Sequence, residues 1–293
     1  MTIKLYIGAH KTATTHIQSI LEYNQTILNS NQIKLSTPKN LRVSWLKNFL
    51  DYSHKGNTTL IKELQVEAPK EGIWILSDEN IVGTPYEFMI SKEGMYPNIK
   101  KRLESLRELF PNAKIELFFA IRSYDMFYRS TYLEVVRNRG YIPFEEYYNE
   151  EKFNNNSWKT VIQMFTEVIP QENITLWLYE DIKRIMPKIM NSITGLDNYE
   201  AFILNYPIKE TRPSLSKKSL NVLTSLHPVL TQQESKRITE EINKKYPIGE
   251  KYSKFIAFNL ERSQKFQEKY REDIKYIKNN YQKINFIGEN EDE

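Results

Sequence analysis

Cysteine is absent from the 293 residues. That excludes disulfides, thiol nucleophiles and thiolate metal sites. Histidine is nearly as scarce, at His10, His16, His54 and His227. Only His10 and His16 stand within a few positions of each other, so no metal centre is expected. No apolar run approaches the ~18 residues of a membrane-crossing helix. No charge of one sign dominates. Lys and Arg total 41 against 37 Asp and Glu, a net +4. Such a balance does not mark a general nucleic-acid binder, though it leaves room for a local basic pocket. The opening "MTIKLYIGAH" is too short for a signal peptide and runs into polar residues. A soluble, cytoplasmic protein is expected.

What is present is core material. Apolar residues make up 40% of the chain and aromatics 13%, with 19 Tyr and 14 Phe. A disordered chain lacks these residues, so a packed interior follows. Four runs read as buried strands: Ile3–Ile7, Ile73–Leu76, Ile115–Ile121 and Ile174–Leu178. Each is short and nearly continuously apolar, as in a parallel sheet covered on both faces. Helical periodicity fills the gaps at Thr14–Tyr23, Asn98–Phe110, Ser123–Arg139 and Ser157–Val168. This alternation predicts an α/β fold with a doubly wound, mostly parallel sheet. Strands are expected to stop near residue 205. Ser216–Leu226, Thr231–Asn243 and Leu260–Tyr281 read as helices. A single domain is therefore expected: an α/β core over 1–205, a helical C-terminal part over 206–285 and an acidic tail over 286–293. The polar run 149–157 reads as a surface loop.

The segment "YIGAHKTATTHIQ" carries the first chemical signal. A strand ends near Ile7 and a helix starts near Thr12–Thr14. Unpaired N–H groups and the positive dipole end of a helix N-terminus attract anions. Gly8 permits a tight turn, Lys11 adds a full charge, and Thr12, Thr14 and Thr15 add hydroxyls. The result is a P-loop-like strand–loop–helix. It is not a Walker A loop, because only Gly8 precedes Lys11. A second signal follows the strand "IELFFAI". Arg122 stands where the strand stops, on the ligand-binding edge of an open α/β sheet. Ser130 lies eight residues further on, and Arg129 reads as a solvated helix residue. A third strand, in "GIWILSDENIVG", leaves Ser77, Asp78 and Glu79 at the same edge. Asp78 or Ser77 there is equally suited to capping the next segment.

Together these elements resemble the sulfotransferase family that uses 3′-phosphoadenosine 5′-phosphosulfate (PAPS). Its Lys-(Ser/Thr)-Gly-Thr-Thr loop is similar to Lys11-Thr12-Ala13-Thr14-Thr15, with Ala13 in place of the glycine. Its arginine–serine pair, eight residues apart, matches Arg122 and Ser130. The stretches "TYLEVVRNRGYIPFEEYY", "ETRPSLSKKSLNVL" and "FQEKYREDIKYIKNNY" resemble a bacterial branch with polysaccharide-directed members.

The resemblance implies PAPS as sulfuryl donor without a metal, and a carbohydrate or glycolipid hydroxyl as acceptor. It places Gly8, Lys11, Thr12, Ala13, Thr14 and Thr15 around the 5′-phosphosulfate, and Arg122 and Ser130 on the 3′-phosphate. Arg212 and Ser214 would close over the nucleotide, with Lys217 or Lys218 nearby. Glu79 is the expected general base, with Asp78 and His10 as alternatives. Trp45, Phe127, Tyr132 and Tyr141 could stack on adenine or sugar, or simply fill the core. Two other readings stay open: a small-molecule kinase, and a non-catalytic nucleotide-binding protein on the same fold. The segments Leu41–Ala68 and Tyr86–Asn98 are expected to build the acceptor site.

Overall fold

Short apolar runs flanked by polar turns become strands where both faces can be covered. The computed structural model describes residues 1–91, 94–149, 156–197, 202, 206 and 214–288, apart from the side chains of 88–90. Its strands are β1 (Thr2–Tyr6), β2 (Ile33–Ser36), β3 (Ile73–Leu76), β4 (Lys114–Ile121), β5 (Ile174–Leu178) and β6 (Asn285–Phe286). They form one sheet in the order β2-β3-β1-β4-β5-β6, and every pairing is parallel.

The four expected strands are all present. Two edge strands were not anticipated, and the expectation that strands end near 205 is corrected. β6 pairs with β5 after that point, and Ser216 and Lys254 form an isolated antiparallel bridge. The physical reason is exposure at the edges. β2 has only two apolar residues, Ile33 and Leu35, separated by Lys34 and followed by Ser36. β6 is two residues long. Neither presents the continuous apolar run of a central strand.

Helices cover both faces. Those used below are α1 (Thr14–Tyr23), α2 (Trp45–Lys55), α3 (Pro85–Ile90), α4 (Ile99–Leu109), α5 (Tyr124–Arg139), α6 (Trp158–Thr166), α7 (Ile182–Thr194), α8 (Lys217–Leu226), α9 (Gln232–Lys245) and α10 (Leu260–Asn280). Strand alternation divides the core in two. Leu117, Phe119 and Ile121 of β4 face one cluster, while Phe118 and Ala120 face the other. Leu220, Leu223, Phe266 and Tyr270 of the C-terminal helices join the first cluster. Trp45, Phe127, Tyr132 and Tyr141 are buried in it too, so they serve the core. Of the surface loop expected at 149–157, residues 150–155 lie outside the described residues. So do residues 289–293 of the acidic tail.

A buried carboxylate ties α10 to the sheet edge. Asp273 is 1% exposed. It accepts hydrogen bonds from the Tyr124 hydroxyl, from Ser157 Oγ at 2.8 Å and from the Trp158 N–H at 2.9 Å. Lys159 Nζ lies 3.4 Å from its other oxygen. The Trp158 indole N–H in turn donates to the Arg122 carbonyl at 2.8 Å. Removing this carboxylate leaves several buried donors without an acceptor, each costing ~1–3 kcal/mol. Asp273→Ala is therefore expected to lower unfolding stability by about 3 kcal/mol in a urea titration followed by tryptophan fluorescence. A loss under about 1 kcal/mol would mean that the donors find other partners.

Candidate active site

The strand order reverses beside β1. The chain leaves β1 toward β2 on one side, and leaves β4 toward β5 on the other. In open α/β sheets a ligand crevice opens at such a point, beyond the carboxyl ends of the strands. Backbone bonds carry the β1 exit along β4: Ile7 N–H reaches Phe118 O at 3.3 Å, and Ala9 N–H reaches Ala120 O at 3.1 Å. The loop before α1 is thus held in the crevice.

Its backbone is unusual. Gly8, Lys11 and Ala13 have φ of 44°, 67° and 62°. Ala13 therefore sits in the left-handed region. That conformation costs an L-residue roughly 1–2 kcal/mol. Thr12 is fully buried, and its hydroxyl donates to Ala9 O at 2.6 Å. Thr14 Oγ1 is buried under the loop, so close that a Cβ on Gly8 would lie 2.8 Å from it. Of the three expected hydroxyl ligands, Thr12 braces the loop from within, Thr14 Oγ1 is buried without a partner, and Thr15 is exposed. Among the described residues, no protein acceptor takes the backbone N–H groups of Lys11 to Thr15. These N–H groups, at the positive end of α1, are what the loop offers an anion.

Arg122 closes the other side. It is 7% exposed, and its Nη1 donates to Lys11 O at 2.5 Å. Its guanidinium stacks 4.2 Å above the Tyr179 ring, and Nε is buried without a partner. Burial lowers its pKa. A buried cation short of acceptors is costly unless an anion meets it. A cavity of about 190 Å³ brings together Lys11, Arg122, Ser130 and Ser214. Arg129, Arg137 and Lys254 also line it. Arg129 is half-buried rather than a solvated helix residue, and burial lowers its pKa. Helical periodicity gave no hint of this, since it shows only which face is apolar. Lys254 lies far along the chain and carried no local signal. Arg212 lies outside the described residues.

The cavity contains a carboxylate as well. Glu134 Oε2 lies 3.1 Å from Lys11 Nζ. Burial pushes this carboxyl up, but Lys11, Asn138 and Arg137 together hold it below the usual range.

At the end of β3 the acids divide. Asp78 is fully buried and takes two hydrogen bonds from Arg42, at 2.7 and 2.8 Å. It also caps the next turn through the Asn80 N–H. Burial raises its pKa while Arg42 opposes the rise. Glu79 Oε1 accepts from Arg42 Nη2 at 3.1 Å, and Oε2 is buried with no partner. His10 is held at both ring nitrogens, Nδ1 3.0 Å from the Tyr96 hydroxyl and Nε2 3.1 Å from Asn80 Oδ1. Its backbone N–H also donates to Tyr96 Oη at 3.0 Å. Burial lowers the imidazole pKa, which favours the neutral form. Ser77 Oγ accepts from Gln18 at 3.0 Å. Of the three candidate bases, Glu79 alone keeps an oxygen without a partner. Arg42 and Tyr96, which set this arrangement, were not identified from the sequence.

No family model matches the chain, and no curated protein matches it. Solved structures do. A sulfotransferase from Alicyclobacillus acidocaldarius is 10% identical, with 78% of this chain and 92% of that one covered, at a TM-score of 0.43. A retinol dehydratase in complex with androsterone and inactive cofactor PAP is 12% identical, with 99% and 83% covered, at 0.35. A sulfotransferase domain from the curacin biosynthetic pathway is 13% identical, with 83% and 96% covered, at 0.30. These overlaps are loose, and the chemistry of this chain rests on its own residues.

Two outcomes follow from the loop and its acid. Gly8→Ala is expected to lower stability by about 2 kcal/mol through strain and contact with Thr14. Ala13→Gly is expected to raise it by about 0.5 kcal/mol, strain relief exceeding the added chain entropy. Equal responses in thermal melts would contradict these backbone angles. Glu134, with a lowered native pKa, adds stability above its ordinary 4.5 and loses it as pH falls through the native value. The melting midpoint should therefore exceed that of Glu134→Gln at neutral pH. The gap should close in acid.

Proposed function

We propose that this chain is a sulfotransferase that moves the sulfuryl group of PAPS to a hydroxyl of a carbohydrate or glycolipid acceptor. The observation that carries the reading is the buried Arg122 guanidinium. It is clamped to the Lys11 carbonyl, has an unpartnered Nε, and lines a cavity rich in cations. One anion site lies on the loop N–H groups and a second around Arg122. A nucleotide with phosphates at both its 5′ and 3′ positions suits that pair. A 5′-triphosphate alone does not.

Sulfuryl transfer, like phosphoryl transfer, depends on position and electrostatics. In this reading the N–H groups of Lys11 to Thr15 hold the 5′-phosphate. Arg122, Ser130 and Lys254 hold the 3′-phosphate. Glu79 Oε2 takes the proton of the acceptor hydroxyl as that oxygen bonds to sulfur. The bond from sulfur to the 5′-phosphate oxygen breaks with its electron pair, leaving 3′-phosphoadenosine 5′-phosphate (PAP). Lys11 leaves Glu134 and offsets the charge arriving on that phosphate. Arg42 keeps Asp78 and Glu79 in place.

Calorimetry with PAP, AMP and ATP, with and without Mg²⁺, tests this. PAP is expected to bind without Mg²⁺ and at least ~100-fold more tightly than AMP, as two charge-assisted contacts at the 3′-phosphate would give. Arg122→Ala should remove that preference. Preference for Mg·ATP would instead establish a kinase. Glu79→Gln should keep PAP affinity while slowing transfer to a saccharide ~10²–10⁴-fold, the usual worth of a general base.

A further inference from the structure

Arg42 has two sides. One holds Asp78 and Glu79; the other borders a cleft of about 510 Å³ between α2, α3 and α4. That volume falls within the ~300–1,000 Å³ of small-molecule sites. Leu46 and Leu50, one turn apart on α2, give it an apolar floor. Lys47 and His54 stand on the same helix at its margin, and Arg102 of α4 lines it as well.

The charges here are unevenly matched. Lys55 is paired with Asp51 at 2.5 Å, and Arg42 is committed to Asp78 and Glu79. Arg102 is 8% exposed. Its Nη2 meets Glu87 at 2.9 Å, while Nη1 is buried with no acceptor. Lys47 is exposed, and the carboxylate it acts on, Asp51, is already paired with Lys55. A guanidinium offers five N–H donors in a fork suited to a second oxyanion. The cleft thus presents an apolar patch, an exposed lysine that shares its one carboxylate with Lys55, and an incompletely paired guanidinium. All of them adjoin the side chain that positions the candidate base.

We infer that this cleft is the acceptor subsite and that it takes a sugar bearing an anionic group, a carboxylate or a phosphate. The inference rests on the sulfuryl-transfer reading and narrows its acceptor. The apolar face of the sugar ring lies on Leu46 and Leu50. Lys47 and Arg102 meet the anionic group, and the ring hydroxyl beyond Arg42 faces Glu79. A neutral sugar would leave the Arg102 Nη1 unmatched and add nothing to the one carboxylate that Lys47 shares with Lys55.

The test uses three probes with one ring: methyl glucoside, methyl glucuronide and methyl glucoside 6-phosphate. Each is titrated into the full chain by NMR, and PAP is titrated into the same samples by calorimetry. At least one anionic probe should bind roughly tenfold more tightly than methyl glucoside, the size of one charge-assisted hydrogen bond. The gain should vanish in Lys47→Gln, an exposed position, and in Arg102→Lys, with folding verified by circular dichroism. Which anion gains separates a carboxylated from a phosphorylated acceptor. Equal binding of all three, or a preference that survives both variants, overturns the subsite. Loss of PAP binding with sugar discrimination retained would overturn the sulfuryl-transfer reading and leave the subsite standing.

Discussion

The hydrogen bond from Arg122 to the Lys11 carbonyl is the contact on which the candidate site depends. It joins the end of β4 to the loop after β1, across the point where the sheet order reverses. Its strength comes from what stands behind it. The Arg122 carbonyl is held by Trp158, Trp158 by Asp273, and Asp273 by a helix from the far end of the chain. A single line of hydrogen bonds therefore runs from the C-terminal helix to the anion loop. The links through Trp158 are buried, so a break there strands a polar group out of water.

The loop itself is held in a conformation that side chains resist. Lys11 and Ala13 both occupy left-handed backbone. Such strain persists only where neighbours over-determine it. Here Thr12 is tied to Ala9, Tyr96 holds His10 by both backbone and ring, and β4 pins the entry to the turn. The same constraints turn the N–H groups of Lys11 to Thr15 away from protein acceptors. Strain and unpaired N–H groups are two aspects of one geometry.

Electrostatics divides the carboxyl edge of the sheet into three compartments. Cations gather around Arg122 with one carboxylate, Glu134, resting on Lys11. Acids gather at the end of β3, where Arg42 holds one of them completely and the other by a single oxygen. Beyond Arg42 lies the cleft between α2 and α4. A cationic cavity, a pair of acids and a partly apolar cleft thus occupy separate places around a single rim.

The sequence by itself determined the central strands, most of the long helices and the two strand exits that meet at the candidate site. Continuous apolar runs and 3.6-residue periodicity are local signals, and so are a lysine among threonines at a strand exit and an arginine where a strand ends. It did not reveal β2 or β6, whose edge positions need no unbroken apolar run. Nor did it reveal α7, which carries Pro187 within a helix. The tertiary structure alone decided which hydroxyls face inward, as at Thr12 and Thr14, and which acid keeps an unpaired oxygen. It also decided that Arg129, Arg137 and Lys254 share a cavity with Arg122. Those outcomes depend on contacts between segments tens to more than a hundred residues apart, set by strand order and helix packing. A linear pattern shows which residues are able to bind an anion or a proton. Only the folded chain shows which of them lack a protein partner and so remain available to do it.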